Sequence, residues 1–414
     1  MQQYKKTQYK LILVLVGLPA RGKTHITYKL NRYLNWIGYK SEIFSIKGAQ
    51  QNNDQLDQNI DYELEIDPNN PQFAEVRQHL STTAAQQLVA FLQSDGDIAL
   101  YNGLTSTKAD RQKLKSFFKE TLKLEYQTFW IESICDDPQV ILNNINESKL
   151  SRFKDKTIEQ FMNHIDVLAQ NYESLENKEN LSYIKLINIG KLVKVHMLEG
   201  YLCSKIVSFL LNLHANNRQI YLVRSCQTEY HLLDKIGGDP ELSATGKQNS
   251  QQLGDYFIEE LKGNKNVTLF TSQMKRGIQT QQRSIGEKLG IKALKTKNLD
   301  EIDYGICDGL TVKEIAAKYP KQIKERKANP LEFKYPRGES FLDVIHRVEP
   351  IIYEIERSRD PVLIIAHVAV LKCLYAYYHC NQISEIPNID IPINCVIKLV
   401  PIPYHCLESR VNIK

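Results

Sequence analysis

The 414-residue chain lacks any apolar run long enough to cross a membrane. Its most hydrophobic stretch, Pro361 to Cys380, is broken by His367, Lys372 and His379, whereas a spanning helix needs roughly 20 predominantly apolar residues. Surplus charge is also scarce. Lys and Arg number 53 against 48 Asp and Glu, a formal net of +5, which falls short of a nucleic-acid footprint. The cysteines (Cys135, Cys203, Cys226, Cys307, Cys373, Cys380, Cys395 and Cys406) form no CxxC pair and no metal-ligand cluster, so they read as reduced thiols of a cytoplasmic protein. There is no internal repeat. Lys5, Lys6 and Lys10 before Leu11–Val16 imitate a secretory leader, but that short run feeds a glycine loop rather than a small-residue cleavage site, and a buried strand is expected. What is left is ordinary globular usage, 42% hydrophobic and 24% charged. The length suits two domains, each able to bury its own core. The mild positive surplus would suit a protein that handles anionic metabolites.

Strand-like runs alternate with helix-length amphipathic stretches. Lys10–Val16, Ser41–Ile46, Ile98–Asn102, Tyr126–Ile131 and Lys185–Ile189 read as strands, and a helix is expected from about Lys23 to Ile37. The alternation argues for parallel βαβ units in a doubly wound α/β architecture. Gln50–Pro71, rich in Asn, Gln and Asp, reads as a long polar loop. A helix from about Val193 to His214 and a polar stretch to Gln219 precede a fresh strand, Ile220–Val223, which opens a second α/β unit. The boundary falls near residue 215, giving domains 1–215 and 216–414.

Gly17-Leu18-Pro19-Ala20-Arg21-Gly22-Lys23-Thr24 matches GxxxxGK[ST], with an apolar strand before it and an amphipathic helix after it. Glycines let successive backbone N–H groups turn toward phosphate oxygens, and the helix N-terminus adds partial positive charge. Lys23 would reach the β- and γ-phosphates of ATP, and Thr24 would ligate Mg²⁺. The competing reading is a chance tight turn. Phosphoryl transfer also needs an acid at the end of a neighbouring strand. The strand that should supply it ends in Asn102, a neutral amide that binds Mg²⁺ weakly and cannot act as a base. Asp95, Asp97, Asp136 and Asp137 read as loop and helix-cap acids.

These motifs make the chain recognisable. VGLPARGKT, RYLNWIG (Arg32–Gly38), FWIESICDDP (Phe129–Pro138) and LSYIKLINIG (Leu181–Gly190) resemble the kinase half of the 6-phosphofructo-2-kinase/fructose-2,6-bisphosphatase family. IGGDPELSATGK (Ile236–Lys247), TSQMKRGIQT (Thr271–Thr280), LDEIDYGIC (Leu299–Cys307), YPRGES (Tyr335–Ser340) and AHVAVLKCL (Ala366–Leu374) continue the resemblance through the second half. It implies a P-loop kinase-like doubly wound parallel sheet followed by a histidine-phosphatase-like α/β domain of the phosphoglycerate-mutase type. The first half would make fructose 2,6-bisphosphate from ATP and fructose 6-phosphate, and the second would hydrolyse it through a phosphohistidine. A homodimer through the kinase-like half is also implied, and incorporation into a larger assembly stays open.

Carried over position by position, the resemblance assigns Gly17, Ala20, Arg21, Gly22, Lys23, Thr24 and Asn144 to the nucleotide and Lys149 to the transfer site. Asn102 stands at the catalytic aspartate. The arginines that would hold the sugar phosphate fall at about Gln50 or Gln51, at Asp67, at Asp110 beside Arg111, and at His164 and Leu168 where an Arg/Tyr pair is expected; a threonine position is Leu104. Arg77 and Arg111 are the cations that could compensate. Each charge-assisted hydrogen bond lost there costs roughly 1.5–3 kcal/mol, and about 1.4 kcal/mol is a tenfold loss of affinity. Fructose 6-phosphate is therefore expected to bind weakly if at all.

In the phosphatase half, the nucleophilic histidine position is Ser225, after Arg224. Arg276, Glu301 (the general-acid position), Arg326 and His367 remain, while His231, Val312, Pro330, Phe341 and Val368 replace other substrate contacts. Ser225 lacks the reach of an imidazole, and Cys226 beside Arg224, a thiol whose pKa could be lowered, would point off the phosphate axis in the family geometry. The expectation is a pseudoenzyme that keeps ATP, a weakened Mg²⁺ site and a phosphate cradle. The alternatives are a working 2-kinase with a dead phosphatase half, and a P-loop kinase with a different acceptor.

Overall fold

The first strand is apolar on both faces because both faces are covered. In the computed structural model β1 (Lys10–Val16) is buried from Leu11 to Val16, as expected of a central strand in a parallel sheet. The structure describes residues 9–53, 56, 71–152, 158–188, 190–213, 218–402 and 405–413, with backbone only for 71–73 and 147–152. The chain divides into two compact units, Met1–Leu34 with Tyr39–Ala215, and Asn35–Gly38 with Asn216–Lys414. The boundary expected near residue 215 lies outside the described residues.

In the first unit β1 is followed by α1 (Lys23–Trp36), β2 (Ser41–Ser45), α2 (Ile46–Gln51), α3 (Pro71–Gln93), β3 (Ile98–Asn102), α4 (Lys108–Thr121), β4 (Tyr126–Ile134), α5 (Pro138–Arg152), α6 (Ile158–Gln170), β5 (Tyr183–Ile187), β6 (Leu192–His196) and α7 (Tyr201–Leu211). The sheet order is β2-β3-β1-β4-β5-β6, parallel except for β6. Ile12, Val14, Val16, Ala99, Tyr101 and Trp130 form one face and pack with Leu80, Leu88, Leu114 and Phe118. The register pairs Val14 with Tyr101 and Val16 with Glu132, so the carboxyl ends of β3 and β4 flank the loop that leaves β1. Such an end is where doubly wound sheets place ligands.

The expected helix over 193–214 is corrected. Leu192–His196 is a strand, antiparallel to β5, and the helix starts only at Tyr201, after Met197 and Gly200 turn the chain at φ +50° and +85°. Alternation in Leu-Val-Lys-Val-His outweighed the apolar run behind it. The end expected at His214 lies outside the described residues, as does most of the polar loop from Gln50 to Pro71. Within that span α2 runs to Gln51 and α3 begins at Pro71.

The second unit contains β7 (Ile220–Arg224), α8 (Glu229–Leu232), α9 (Ala244–Leu261), β8 (Thr268–Thr271), α10 (Lys275–Gln281), α11 (Glu287–Leu289), β9 (Ala293–Lys295), α12 (Val312–Lys318), α13 (Pro320–Ala328), α14 (Phe341–Arg357), β10 (Val362–Ala366), α15 (Val368–His379), β11 (Cys395–Pro401) and β12 (Cys406–Asn412). Its sheet order is β12-β11-β7-β10-β8-β9, with β7, β10, β8 and β9 mutually parallel and β11 antiparallel to both of its neighbours, β7 and β12. Ala366 pairs with Arg224. That register ends β7 and β10 side by side, which delivers Arg224–Ser225 and His367 to the same edge. No helix among the described residues is long and apolar enough to cross a membrane.

Candidate functional site

The loop between β1 and α1 has the backbone its sequence requires. Gly17 sits at φ +138°, Ala20 at +57° and Gly22 at +82°. A Cβ at Gly17 would lie 2.5 Å from the backbone oxygen of Ser133, closer than real Cβ contacts come, so only glycine fits against β4 there. Ser133 Oγ donates to Arg21 O at 2.6 Å and Asn144 Nδ2 donates to Ala20 O at 2.9 Å, which ties α5 and β4 to the loop. Lys23 Nζ folds back onto Leu18 O at 2.9 Å, and Thr24 is half-buried at the start of α1. Lys149 lies on α5 with its side chain outside the described residues.

Asn102 ends β3 beside this loop. It is 6% exposed, and its Oδ1 has no hydrogen-bond partner among the described residues. A neutral acceptor is therefore held bare at the strand end. The nearest carboxylate by register, Glu132, is fully buried and already occupied: it accepts from Tyr172 Oη at 2.5 Å and Leu175 N at 3.1 Å, and pairs with Lys185 Nζ at 3.1 Å. Asp137 Oδ1 accepts from Gln139 N at the start of α5, and Asp97 accepts from Lys40 N, both structural duties.

Arg111 does not reach toward an acceptor. Its guanidinium is buried, forks onto both oxygens of Glu179 at 2.8 Å, and donates to Thr105 O at 3.0 Å and Glu173 O at 2.8 Å. Asp110 closes a capping box with Thr107 at the start of α4. Leu104 packs against the core, and His164 and Leu168 are half-buried on α6. Gln50 is buried on α2, and Asp67 lies outside the described residues. What the structure places at these positions is a scaffold of neutral, acidic or already paired groups.

In the second unit, a cavity of about 200 Å³ is lined by Arg224, Ser225, His231, Arg276, Glu301 and His367, with Lys235 and Tyr304 at its wall. His367 follows β10 as the N-cap residue of α15 and is 2% exposed. Its Nδ1 accepts from Arg276 Nε at 3.1 Å, so the ring proton sits on Nε2 and goes to Ser272 Oγ at 2.8 Å. Ser225 Oγ stands 3.3 Å from the same Nδ1 and shares it with the guanidinium. Burial first, then Arg276 and further arginines, hold the His367 imidazole well below its ordinary range, which makes it a weak base. Arg276 also donates to Gly238 O at 2.8 Å, and Glu301 Oε1 accepts from the amides of Ile302 and Ala369 at 3.0 and 3.2 Å.

Cys226, set aside as a nucleophile on sequence grounds, is 3% exposed, and burial pushes its pKa up to about 11. One expectation changes here. Arg326 does not line the cavity; it is exposed on α13 and donates to Tyr335 Oη at 3.3 Å. Val312 and Pro330 are also exposed and outside the lining, whereas Val368 and His231 are part of it. Sequence reasoning missed Lys235, Ser272, Thr228 and Tyr304. Thr228 carried a signal, since Thr-x-x-His at the start of α8 closes a capping box through an imidazole.

Comparison with known proteins places both units. Residues 1–217 match the 6-phosphofructo-2-kinase family model, and residues 220–414 match the model of the histidine phosphatase superfamily, branch 1. The 6-phosphofructo-2-kinase/fructose-2,6-bisphosphatase of Caenorhabditis elegans is 38% identical over 409 residues, covering 95% of this chain and 87% of that protein. The chain belongs to the 6-phosphofructo-2-kinase/fructose-2,6-bisphosphatase family. The enzyme of the same name from Aquarana catesbeiana is 36% identical over 413 residues, 97% of this chain and 84% of that protein. Among solved structures, a mycobacterial glucosyl-3-phosphoglycerate phosphatase superposes with a TM-score of 0.40 at 21% identity, over 48% of this chain and all of that one.

The kinase family implies ATP as the nucleotide. The described loop suits polyphosphate, since positive φ at Gly17, Ala20 and Gly22 frames the start of α1 beside Lys23. A magnesium ion there would find the Thr24 hydroxyl and the bare Asn102 Oδ1, two neutral oxygens, and would supply charge neutralisation for the phosphates.

Proposed function

We propose that the chain is a catalytically silent member of its family, a cytoplasmic nucleotide-binding pseudoenzyme with a regulatory or structural role. The observation that carries this is Ser225. It occupies the attacking position at the end of β7, with its hydroxyl directed at a histidine whose one lone pair already receives Arg276. A serine there has neither the reach nor the base it needs, while the buried Cys226 stays protonated. In the kinase half, Asn102 offers no charge to a metal and no base to an acceptor hydroxyl, and Arg111 is locked to Glu179. Roles carried over to Lys23, Thr24, Asn144 and Lys149 are limited on this reading to holding ATP. Fructose 6-phosphate binds weakly at most.

The test is direct. The purified full chain, given Mg·ATP and fructose 6-phosphate, should form no fructose 2,6-bisphosphate, and given that bisphosphate it should release no phosphate. Product above the trace of a co-purified enzyme would refute the assignment for the half concerned. A second reading rests on the intact phosphate loop and the bare Oδ1 of Asn102: a P-loop kinase whose acceptor carries less negative charge. It predicts ATP turnover stimulated by an uncharged polyol or alcohol, and a screen without stimulation would remove it.

A further inference from the structure

We propose that His231 is a proton-operated latch on Arg224, which opens the phosphatase-like cavity to a tetrahedral dianion as the pH falls. The inference rests on the reading that this cavity keeps an anion cradle without its chemistry. The cradle depends on guanidinium donors, and one of them is taken. Arg224 Nη2 lies 3.2 Å from His231 Nε2, while Nη1 donates to Ile391 O at 3.3 Å.

Proton placement decides what that contact is. A guanidinium only donates, so His231 Nε2 must accept, and a neutral ring that accepts there carries its proton on Nδ1. Thr228 Oγ1 stands 2.8 Å from Nδ1 and takes that proton. The opposite tautomer keeps the capping-box bond that the Thr228 amide, 3.1 Å away, donates to Nδ1, but sets two donors against each other at Arg224; with the proton on Nδ1 that conflict falls on the Thr228 amide instead, and the capping-box bond is given up. The charged contact is the stronger of the two and selects the first arrangement. The ring is thus strapped between α8, which Thr228 caps, and the arginine that ends β7.

The charged and titratable groups that line the cavity with this ring are Arg224 from β7, Arg276 from α10, Lys235 after α8, Glu301 and Tyr304 between β9 and α12, and His367 ahead of α15. Cations outnumber the single carboxylate. His231 is exposed as a residue, but partial desolvation of its ring at the cavity wall first, then Arg224 and Arg276, keep it below its ordinary pKa, so near neutral pH it accepts from Arg224 and the latch is closed. A proton added at Nε2 turns the contact into N–H against N–H. The imidazolium must then leave Arg224, and both cations become available to an anion. A dianion seated among Arg224, Lys235 and Arg276 favours the same proton in return, so binding and protonation are reciprocally linked.

Sulfate is the suitable probe, because it stays a dianion across the pH range in which His titrates. Calorimetric titration of the full chain should show sulfate affinity rising roughly fivefold or more between about pH 7.5 and pH 5.5, with proton uptake on binding. His231→Asn and His231→Ala should each bind sulfate with a flat pH profile, and the Asn variant can still accept from the Thr228 amide if Ala weakens α8. Arg276→Ala should lose sulfate at both pH values. Equal sulfate affinity at both pH values in the wild type overturns the latch alone, as does a pH slope that survives in both His231 variants. Failure of the wild type to bind at any pH, or undiminished binding by Arg276→Ala, overturns the cradle and the latch with it.

Discussion

At the scale of single residues, two neutral side chains, Ser225 and Asn102, carry the proposed silence. Ser225 is the sharper case, because its surroundings are otherwise furnished: Arg224, Arg276, Glu301 and His367 all line the cavity. Ser225→His is expected to gain an acid-labile phosphate label from fructose 2,6-bisphosphate that the wild type lacks, a difference on the order of 10⁴–10⁶ in rate. Rapid-quench labelling with acid and base stability tests checks it, and an unlabelled variant that still binds sulfate would show that more than the nucleophile is missing. Asn102→Asp should place a carboxylate where Oδ1 is bare, tightening Mg·ATP binding severalfold in calorimetry. It should still form no fructose 2,6-bisphosphate, because the acceptor side is unchanged.

At the scale of elements, the phosphate loop and α4 carry opposite duties. Gly17→Ala forces a Cβ onto Ser133 O at φ +138°, and loss of ATP binding is expected with sulfate binding in the other unit intact. Arg111→Ala leaves Glu179 largely buried and unpaired, a loss of about 3–5 kcal/mol that chemical denaturation would read. Legibility followed the same division. The loop and the strands β1, β2, β3 and β7 were readable because their signals are local: a motif, an apolar run, a turn. The strand β6 was misread because Leu-Val-Lys-Val-His is short and sits ahead of an apolar helix, so periodicity over a longer window blurred the two. Arg111 was legible as a cation but not as a locked one, since Glu179 and Glu173 are more than 60 positions away. The Cys226 pKa was out of reach for a related reason: adjacency to Arg224 would lower it, while burial, a property of the fold, pushes it up.

At the scale of the whole molecule, pH and association are the observables. The unfolded chain protonates His367 below its ordinary 6.5, whereas the folded chain does not. The unfolded state therefore binds more protons in that window, and stability falls as pH drops below about 6.5. Melting curves of His367→Gln should show a shallower fall over the same range. We also propose the homodimer implied by the family. In the kinase-like unit the edge strand β6 and the turn after it expose Leu192, Val195, Met197 and Leu198, an apolar strand edge suited to a second copy. Sedimentation should give a dimer for the wild type and a monomer for Val195→Lys, and a monomeric wild type at micromolar concentration would rule it out. A different kind of outcome follows from the Arg111–Glu179 fork. With four donated hydrogen bonds inside the scaffold, Arg111 could turn to a ligand only if Glu179 changed first, and that first change would itself strand a buried guanidinium. Neither single step is tolerable alone. The fork is in this sense entrenched: the present fold depends on both partners, and freeing Arg111 by one substitution is closed.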